Sequence, residues 1–550
     1  MSDAPAVEDV ASVVRTASRS LGRLLDSDPD AHAVLENLER RAPVDTSSVD
    51  GLVRWKQHEL LRIAARDLMR IDAFEAAAAA LSAMAADVLD AALGLAGADG
   101  LAVIGMGKLG GCELNYASDV DVMLVTDGAH DPHTVDRGAH TAIDIARRCF
   151  RVDLNLRPEG RDGALVRSLP SYEAYWDRWA EAWEFQALLK ARFVGGDHEL
   201  GAAFDASAAA HLWARSFTAE SIRAVRAMKA RAEADVARRG LSDRELKLGS
   251  GGIRDVEFAV QLLQLVHGGA DEELRTPTTL TALAELADAG YVGRHDADQL
   301  AAAYRYLRTV EHRLQLDDEQ QVHAIPDDPR EQDRLAHVLG YSGSVEAGAA
   351  ERFLTDLRGH QSTVRAIHER LWFRPLLEEF AHDGDRILTE EAAAARLAAF
   401  GFSDVERTRQ AVRELTRGLT RSSRLMQQLL PLLLDWLSSS PDPDLGLLGL
   451  RNLASGPQRS MELATAFRES PEVAQRLCRL LGTSRMLGEF LRRNPDMIDS
   501  LGDPAEMRLR SRDELVEGTQ AAVGWRPDPQ ERWPALKRFT DREGLRIAAH

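Results

Sequence analysis

The sequence predicts an α+β fold in which a small mixed sheet is embedded in a mostly α-helical chain. Two short apolar runs, 101–104 and 120–125, flank a glycine-rich turn and read as buried strands. A third segment, RVDLNL at 151–156, alternates apolar and polar residues as a half-buried strand does. Outside 101–167, apolar residues recur at helical spacing almost throughout.

In chain order, residues 1–95 read as helical. Segment 53–69 carries Arg, Lys and His on its outer face, and 73–95 is Ala-rich and helical by propensity. Glycines at 97 and 100 break the pattern. The turn after the first strand contains Gly105, Gly107, Gly110 and Gly111. The second strand carries Asp119 and Asp121. A turn at 127–132, a helix over 134–150, the strand with Asp153 and a short return strand at 165–168 complete the mixed part. From Ser171 the chain reads as helical to its end: 172–193, 219–239, 253–267, 278–289, 296–316, 331–371 and 390–437, with a Pro-rich break at 324–330. The run SSSPDPD (438–444) has linker composition. The expected segments are 1–95 (helical), 96–170 (α/β core), 171–330 (helices completing a cleft), 331–437 (helical connector) and 445–550 (helical region).

At 550 residues the chain is too long for one core. A net charge of −19 argues against a general nucleic-acid binder. Cys112, Cys149 and Cys478 are scattered and show neither a disulfide framework nor zinc spacing, which points to the cytoplasm. The N-terminus MSDAPAVEDV lacks a basic segment followed by an apolar core, so it is no signal peptide. The longest apolar stretches, such as 429–437 with its Asp435, read as too short to span a bilayer, so no membrane partner is expected.

The candidate chemistry starts from Asp119 and Asp121. Residues two apart on a strand face the same side, and paired carboxylates beside phosphate suit a hard cation such as Mg²⁺. Gly110 and Gly111 would let backbone N–H groups approach phosphate oxygens, and Lys108 could add a point charge. A lone Asp-x-Asp more often marks a solvated strand end; the upstream glycine pair sharpens it. Asp153 on the next strand would complete a metal-binding triad, and Arg157 beyond it could bind phosphate or pair with an acid. Gly251 and Gly252 open a helix whose N-terminus could favour anions. That helix carries a polar stripe of Arg254, Glu257, Gln261 and Gln264; a later one carries Arg305, Arg308, His312 and Gln315. By periodicity alone both stripes read as solvent-facing. Trp176, Trp179 and Trp183 read as core. Glu184, Lys190 and Arg192 are further candidates; His267, His312 and His323 lack metal spacing.

The Gly-Gly, Asp-x-Asp and later Asp together resemble nucleotidyltransferases of the polymerase β type. The longer string GMGKLGGCELNYASDVDV (105–122) resembles the glutamine synthetase adenylyltransferase/adenylyl-removing family. The likeness continues through VDLNLRPEGRDGALVRS, WEFQALLKARFVGGD, KLGSGGIRDVEFAVQLLQLVHG and YRYLRTVEHRLQL, and more loosely through GLLGLRNLA and LLGTSRMLGEFLRRNP. It implies a nucleotidyltransferase core, two Mg²⁺ ions on Asp119, Asp121 and Asp153, and both polar stripes lining the cleft. Lys247, Arg254, Arg305 and Arg308 would then contact phosphate and nucleotide. It also implies two such units in tandem. The first removes AMP from a glutamine synthetase tyrosine with phosphate, giving ADP; the second attaches AMP from ATP. A PII-type signal protein controls both.

An internal repeat agrees with this plan. LVRWKQHELLRIAAR (52–66) and LKRFTDREGLRIAAH (536–550) match at eight of fifteen positions. The chain is therefore expected to be the removing half of a longer protein. Two other readings stay open: ATP-dependent transfer by this same unit, and a regulatory role for the helices after about residue 335.

Overall fold

The computed structural model describes residues 6–215, 244–344, 347–371, 400–416, 436–455, 457–469, 471–502, 508–524 and 528–548, with isolated positions between them. They form two compact units, one running to His368 and one from Glu369 onward.

The first unit opens with helices α1 to α5 (Val7–Ala17, Arg19–Ser27, Asp30–Glu36, Val49–Leu68, Phe74–Ala96). Ser48 caps α4 by accepting from the Gly51 N–H, and α5 stops at Gly97 in the left-handed region, φ 61°. α5 corrects one expectation. By length and composition it could cross a bilayer, with a mean hydropathy of 1.5 over its most apolar window. Here 61% of that window is buried inside the fold, where Leu81, Met84, Val88 and Leu89 join the main core. Its many alanines hide this apolar length in the sequence.

Strand β1 (Leu101–Gly105) is wholly buried and pairs antiparallel with β2 (Val120–Thr126), from Leu101↔Thr126 to Gly105↔Val122. The short helix α6 (Gly107–Gly110) lies between them. After α7 (Pro132–Ala146), β3 (Val152–Asp153) and β4 (Val166–Ser168) both run parallel to β2. Helices α8 (Leu169–Arg178) and α9 (Ala182–Leu188) lead to β5 (Arg192–Gly196), antiparallel on the far side of β1. α10 (His198–Trp213) follows. Period-two alternation divides the sheet between two cores. Leu101, Val103, Val122 and Leu124 pack with α4, α5 and α7; Ala102, Ile104, Met123 and Val125 pack with Tyr172, Trp176 and Phe204.

Two local expectations change. The helix expected over 172–193 is α8, α9 and the start of a strand. Gly196 hides that strand: it takes φ +90°, and a Cβ there would sit 2.2 Å from the Leu101 oxygen, so only glycine fits. The strand at 151–156 is only two residues long, since the Asn155 N–H turns back onto the Asp153 carboxylate at 2.7 Å. The short strand expected at 165–168 is present as β4, paired parallel with β2.

Helices α11 to α15 (Ile253–His267, Thr279–Asp288, Arg294–Leu316, Pro329–Leu339, Ala349–Leu371) complete the first unit. The expected helix over 219–239 lies almost wholly outside the described residues, as do 390–396 and 417–425 of the stretch 390–437, within which 405–416 is helical. Helices of the second unit include Val405–Thr416, Pro443–Leu453, Pro471–Leu481 and Pro529–Ala548. SSSPDPD is a tight turn within this unit, not a solvated linker: Ser438 and Ser440 are buried, and Asp442 caps the next helix through the Leu445 N–H.

The sequence repeat has a structural counterpart. In α4, buried Glu59 pairs with Arg62, and Arg41 reaches Glu59 at 2.9 Å while lying over Trp55 at 5.6 Å. In the final helix, buried Glu543 pairs with Arg546, and Arg510 reaches Glu543 at 3.3 Å while lying over Phe539 at 6.0 Å. The glutamate, the arginine three residues later and the aromatic occupy matching repeat positions.

Candidate active site

β2 and β3 bring the acids together. Asp121 and Asp153 are register partners, and Asp119 stands just before β2. Asp119 and Asp121 line a cleft of about 470 Å³ with Lys108, Lys190, Lys247, Arg254, Glu257 and Gln261. Gly107, at φ +52°, lets the turn pass over the acids: a Cβ there would lie 2.8 Å from Asp121 Oδ2. Burial, then the neighbouring Asp153 and Asp119 carboxylates, push the Asp121 carboxyl up to about 7, against the pull of Lys247 and Lys108. Asp119 is 2.8 Å from Arg151 Nη2 and accepts from Gln321 Nε2 at 3.2 Å.

As these side chains stand, no three His, Cys, Asp or Glu residues among the described positions are grouped to hold one ion. The donor chemistry still fits a hard cation. The donors are carboxylate oxygens only, and Asp121 shows that the local negative charge is under-compensated.

The opposite wall is cationic and balanced by buried acids. Lys108 lies 3.3 Å from the fully buried Glu311; burial above all holds its pKa down to about 8. Lys190 pairs with buried Glu113 and donates to Thr279 Oγ1 at 3.1 Å. Burial works against the Glu257 carboxylate, but Lys190, Lys108, Arg308 and Lys247 together keep its pKa below the usual range. Arg254 lies over the Phe258 ring at 5.5 Å, and Gln186 Nε2 donates to Gln261 Oε1 at 2.8 Å.

Other predicted phosphate contacts have different work. The N–H groups of Gly110 and Gly111 donate within α6, to Met106 O and Gly107 O. Gly110 instead permits close packing, since a Cβ there would lie 1.6 Å from Lys190 O. The Gly251 N–H donates to Asp255 Oδ2, the Gly252 N–H to Gly249 O and the Arg254 N–H to Lys247 O, so that helix start is filled from within. Arg157 braces its own loop by donating to Leu154 O and Gly163 O. Arg305 is 47% exposed and pairs with Glu75 outside the cleft lining.

Beyond Arg305, the second polar stripe faces neither solvent nor cleft. Arg308, His312 and Gln315 are fully buried behind the turn. Arg308 Nη2 donates to Glu113 O at 2.6 Å, and Gln315 Oε1 accepts from the Ala117 N–H at 3.1 Å. They fix segment 113–117 and thereby the entry to β2. The first stripe divides: Arg254, Glu257 and Gln261 line the cleft, whereas Gln264 donates to Leu274 O and Thr276 O. Of the tryptophans, Trp176 is core, Trp179 is 73% exposed and Trp183 lines the cleft. Glu184 belongs to a helix capping box, and Arg192 caps α6 through Gly110 O and Leu109 O. Sequence reasoning passed over Ser118, Arg151, Gln186 and Gln321. Glu311 carried a signal it left unused, a charged residue within an otherwise buried helix face.

Both family descriptions that match the chain are those of nucleotidyltransferases: "Glutamate-ammonia ligase adenylyltransferase" over residues 15–207 and "GlnD PII-uridylyltransferase" over 226–372. Individual relatives narrow the class. The chain is 41% identical to the "Bifunctional glutamine synthetase adenylyltransferase/adenylyl-removing enzyme" of Streptomyces coelicolor over 548 residues, covering 94% of this chain and 54% of the relative. Its identity to the protein of the same name from Corynebacterium glutamicum is 38%, covering 100% of this chain and 56% of the relative. For that of Mycobacterium leprae it is 43%, covering 73% and 40%. The chain belongs to this bifunctional family and spans about half the length of the curated relatives it matches.

Proposed function

We propose that this chain removes AMP from an adenylylated tyrosine of glutamine synthetase by phosphorolysis, releasing ADP. The observation that carries the reading is the placing of Asp119 and Asp121, with Asp153 in register, against a wall bearing Lys108, Lys247 and Arg254. A bond forms between an oxygen of inorganic phosphate and the AMP phosphorus as the bond to the tyrosine oxygen breaks, and that oxygen leaves as the phenol, gaining the proton that hydrogen phosphate gives up. Lys108, Lys247 and Arg254 would neutralise phosphate oxygens along the way. Asp119, Asp121 and Asp153 would hold Mg²⁺, which supplies charge stabilisation to the attacking and leaving oxygens. No side-chain nucleophile is needed.

The relatives' shared name includes both activities, so transfer from ATP is the reading to set beside it. Incubating the chain separately with adenylylated glutamine synthetase plus phosphate, and with unmodified glutamine synthetase plus ATP, decides between them. ADP formation in the first mixture alone is the expected result. AMP incorporation in the second mixture alone would reverse the assignment.

A further inference from the structure

A second cavity, of about 460 Å³, adjoins the cleft. Ser118 and Gln321 line both, so they form the partition between them. The remaining lining gathers four cations against one acid: Lys56 from α4, Arg147 and Arg148 at the end of α7, and Arg151 before β3, with Glu319 opposite. This is a dense local positive charge for a chain of net charge −19. Lys56 is 3.2 Å from Glu319 and lies over the Phe150 ring at 5.4 Å. Arg147 and Arg148 pair with Asp144 and Asp50, which are themselves 73% and 88% exposed. Solvent-exposed pairs of this kind bind their guanidinium groups weakly and yield to a better anion. Arg151 joins the two cavities: its Nη2 is 2.8 Å from Asp119 Oδ1 and also donates to Gln321 Oε1.

The lining suits a small phosphate anion rather than a nucleoside. Lys56 already covers Phe150, and the hydroxyl of buried Tyr116 is committed to Asp67 at 2.8 Å. Forked guanidinium groups match phosphate oxygens in pairs. We propose that the cavity formed by Lys56, Arg147, Arg148 and Arg151 is a phosphate subsite that holds inorganic phosphate beside the Asp119 end of the cleft. Its part in turnover rests on the phosphorolysis reading; its capacity to bind phosphate rests on this geometry alone.

The test is calorimetric titration of the full 550-residue chain with inorganic phosphate, comparing wild type with R147A/R148A and the charge-conserving R147K/R148K. Loss of both guanidinium groups should weaken phosphate binding at least about tenfold, with the lysine pair recovering part of the loss. Parallel titrations with ADP identify the source of the bound phosphate. An alanine-pair loss for phosphate alone assigns free phosphate, and a matching loss for ADP assigns the nucleotide's own phosphate. Equal affinities in wild type and alanine pair for both ligands, or no heat with either in wild type, would overturn the proposal. In the reaction with adenylylated glutamine synthetase, the alanine pair should raise the KM for phosphate more than it lowers kcat. If no chain releases ADP, the proposed function fails while the calorimetric difference still decides the subsite.

Discussion

Replacing Gly110 with alanine separates a packing role from a phosphate-cradling one. The added Cβ would lie 1.6 Å from Lys190 O and 2.5 Å from Gly105 O, whereas real Cβ atoms stay beyond 3.0 Å. Both obstacles are backbone atoms, so no rotamer change relieves the overlap. α6 and the entry to β5 must separate by more than an ångström, dragging Lys190 from Glu113 and breaking the bonds from Arg192 to Gly110 O and Leu109 O. Overpacking a core usually costs about 1–3 kcal/mol; with these bonds strained as well, the upper end or more is expected. Urea unfolding reads it as a shift in midpoint at constant slope. Gly111→Ala is the control. Its Cβ meets Pro277 O at 3.0 Å and Glu113 Oε2 at 3.2 Å, so a loss of about 1 kcal/mol is expected. A G110A protein with a wild-type midpoint but no affinity for ADP would refute the packing argument and restore the phosphate cradle.

Two further perturbations test the buried helix face of α13. Arg308→Met leaves Glu311 and Asn115 without their guanidinium partner and should cost about 3–5 kcal/mol, whereas Arg305→Ala should change stability by no more than ~0.5 kcal/mol. Similar melting temperatures for the two variants would show that the stripe is not divided in this way. Burial, then the nearby Arg308, push His312 down to about 3. The unfolded chain protonates near 6.5 while the folded chain resists. Stability present above that pH is therefore lost as pH falls from 6.5 towards 3, by roughly 2 kcal/mol at pH 5. His312→Gln should flatten the dependence of the urea midpoint between pH 7 and pH 5; an unchanged slope would assign acid sensitivity elsewhere.

Much of the architecture is written in local pattern. The strands around 101–125, the aspartates and most helices of the first unit follow from periodicity and glycine spacing. β5 was not legible, because the glycines that let it pass Asp90 and Leu101 O look like a break. Of the candidate site, the clustering of the acids was legible and that of the cations only partly. A lone arginine in a polar stripe looks the same whether it faces phosphate, as proposed for Arg254, or a buried carbonyl, as Arg308 does. Glycine pairs were similarly ambiguous: the sequence marks where the backbone is crowded, not whether a ligand or another strand crowds it. The repeat was legible as letters; the fold adds that in both copies a buried Glu–Arg pair is joined by a second arginine lying over an aromatic ring.

The most direct measurement is ADP release from adenylylated glutamine synthetase, in the presence of phosphate and Mg²⁺, by the wild-type chain and by the Asp119→Asn/Asp121→Asn variant. Steady ADP release by wild type is expected, with a fall of at least about a hundredfold in the variant, the scale that follows when charge stabilisation at the reacting oxygens is lost. ADP release by the variant at the wild-type rate would contradict the proposed function.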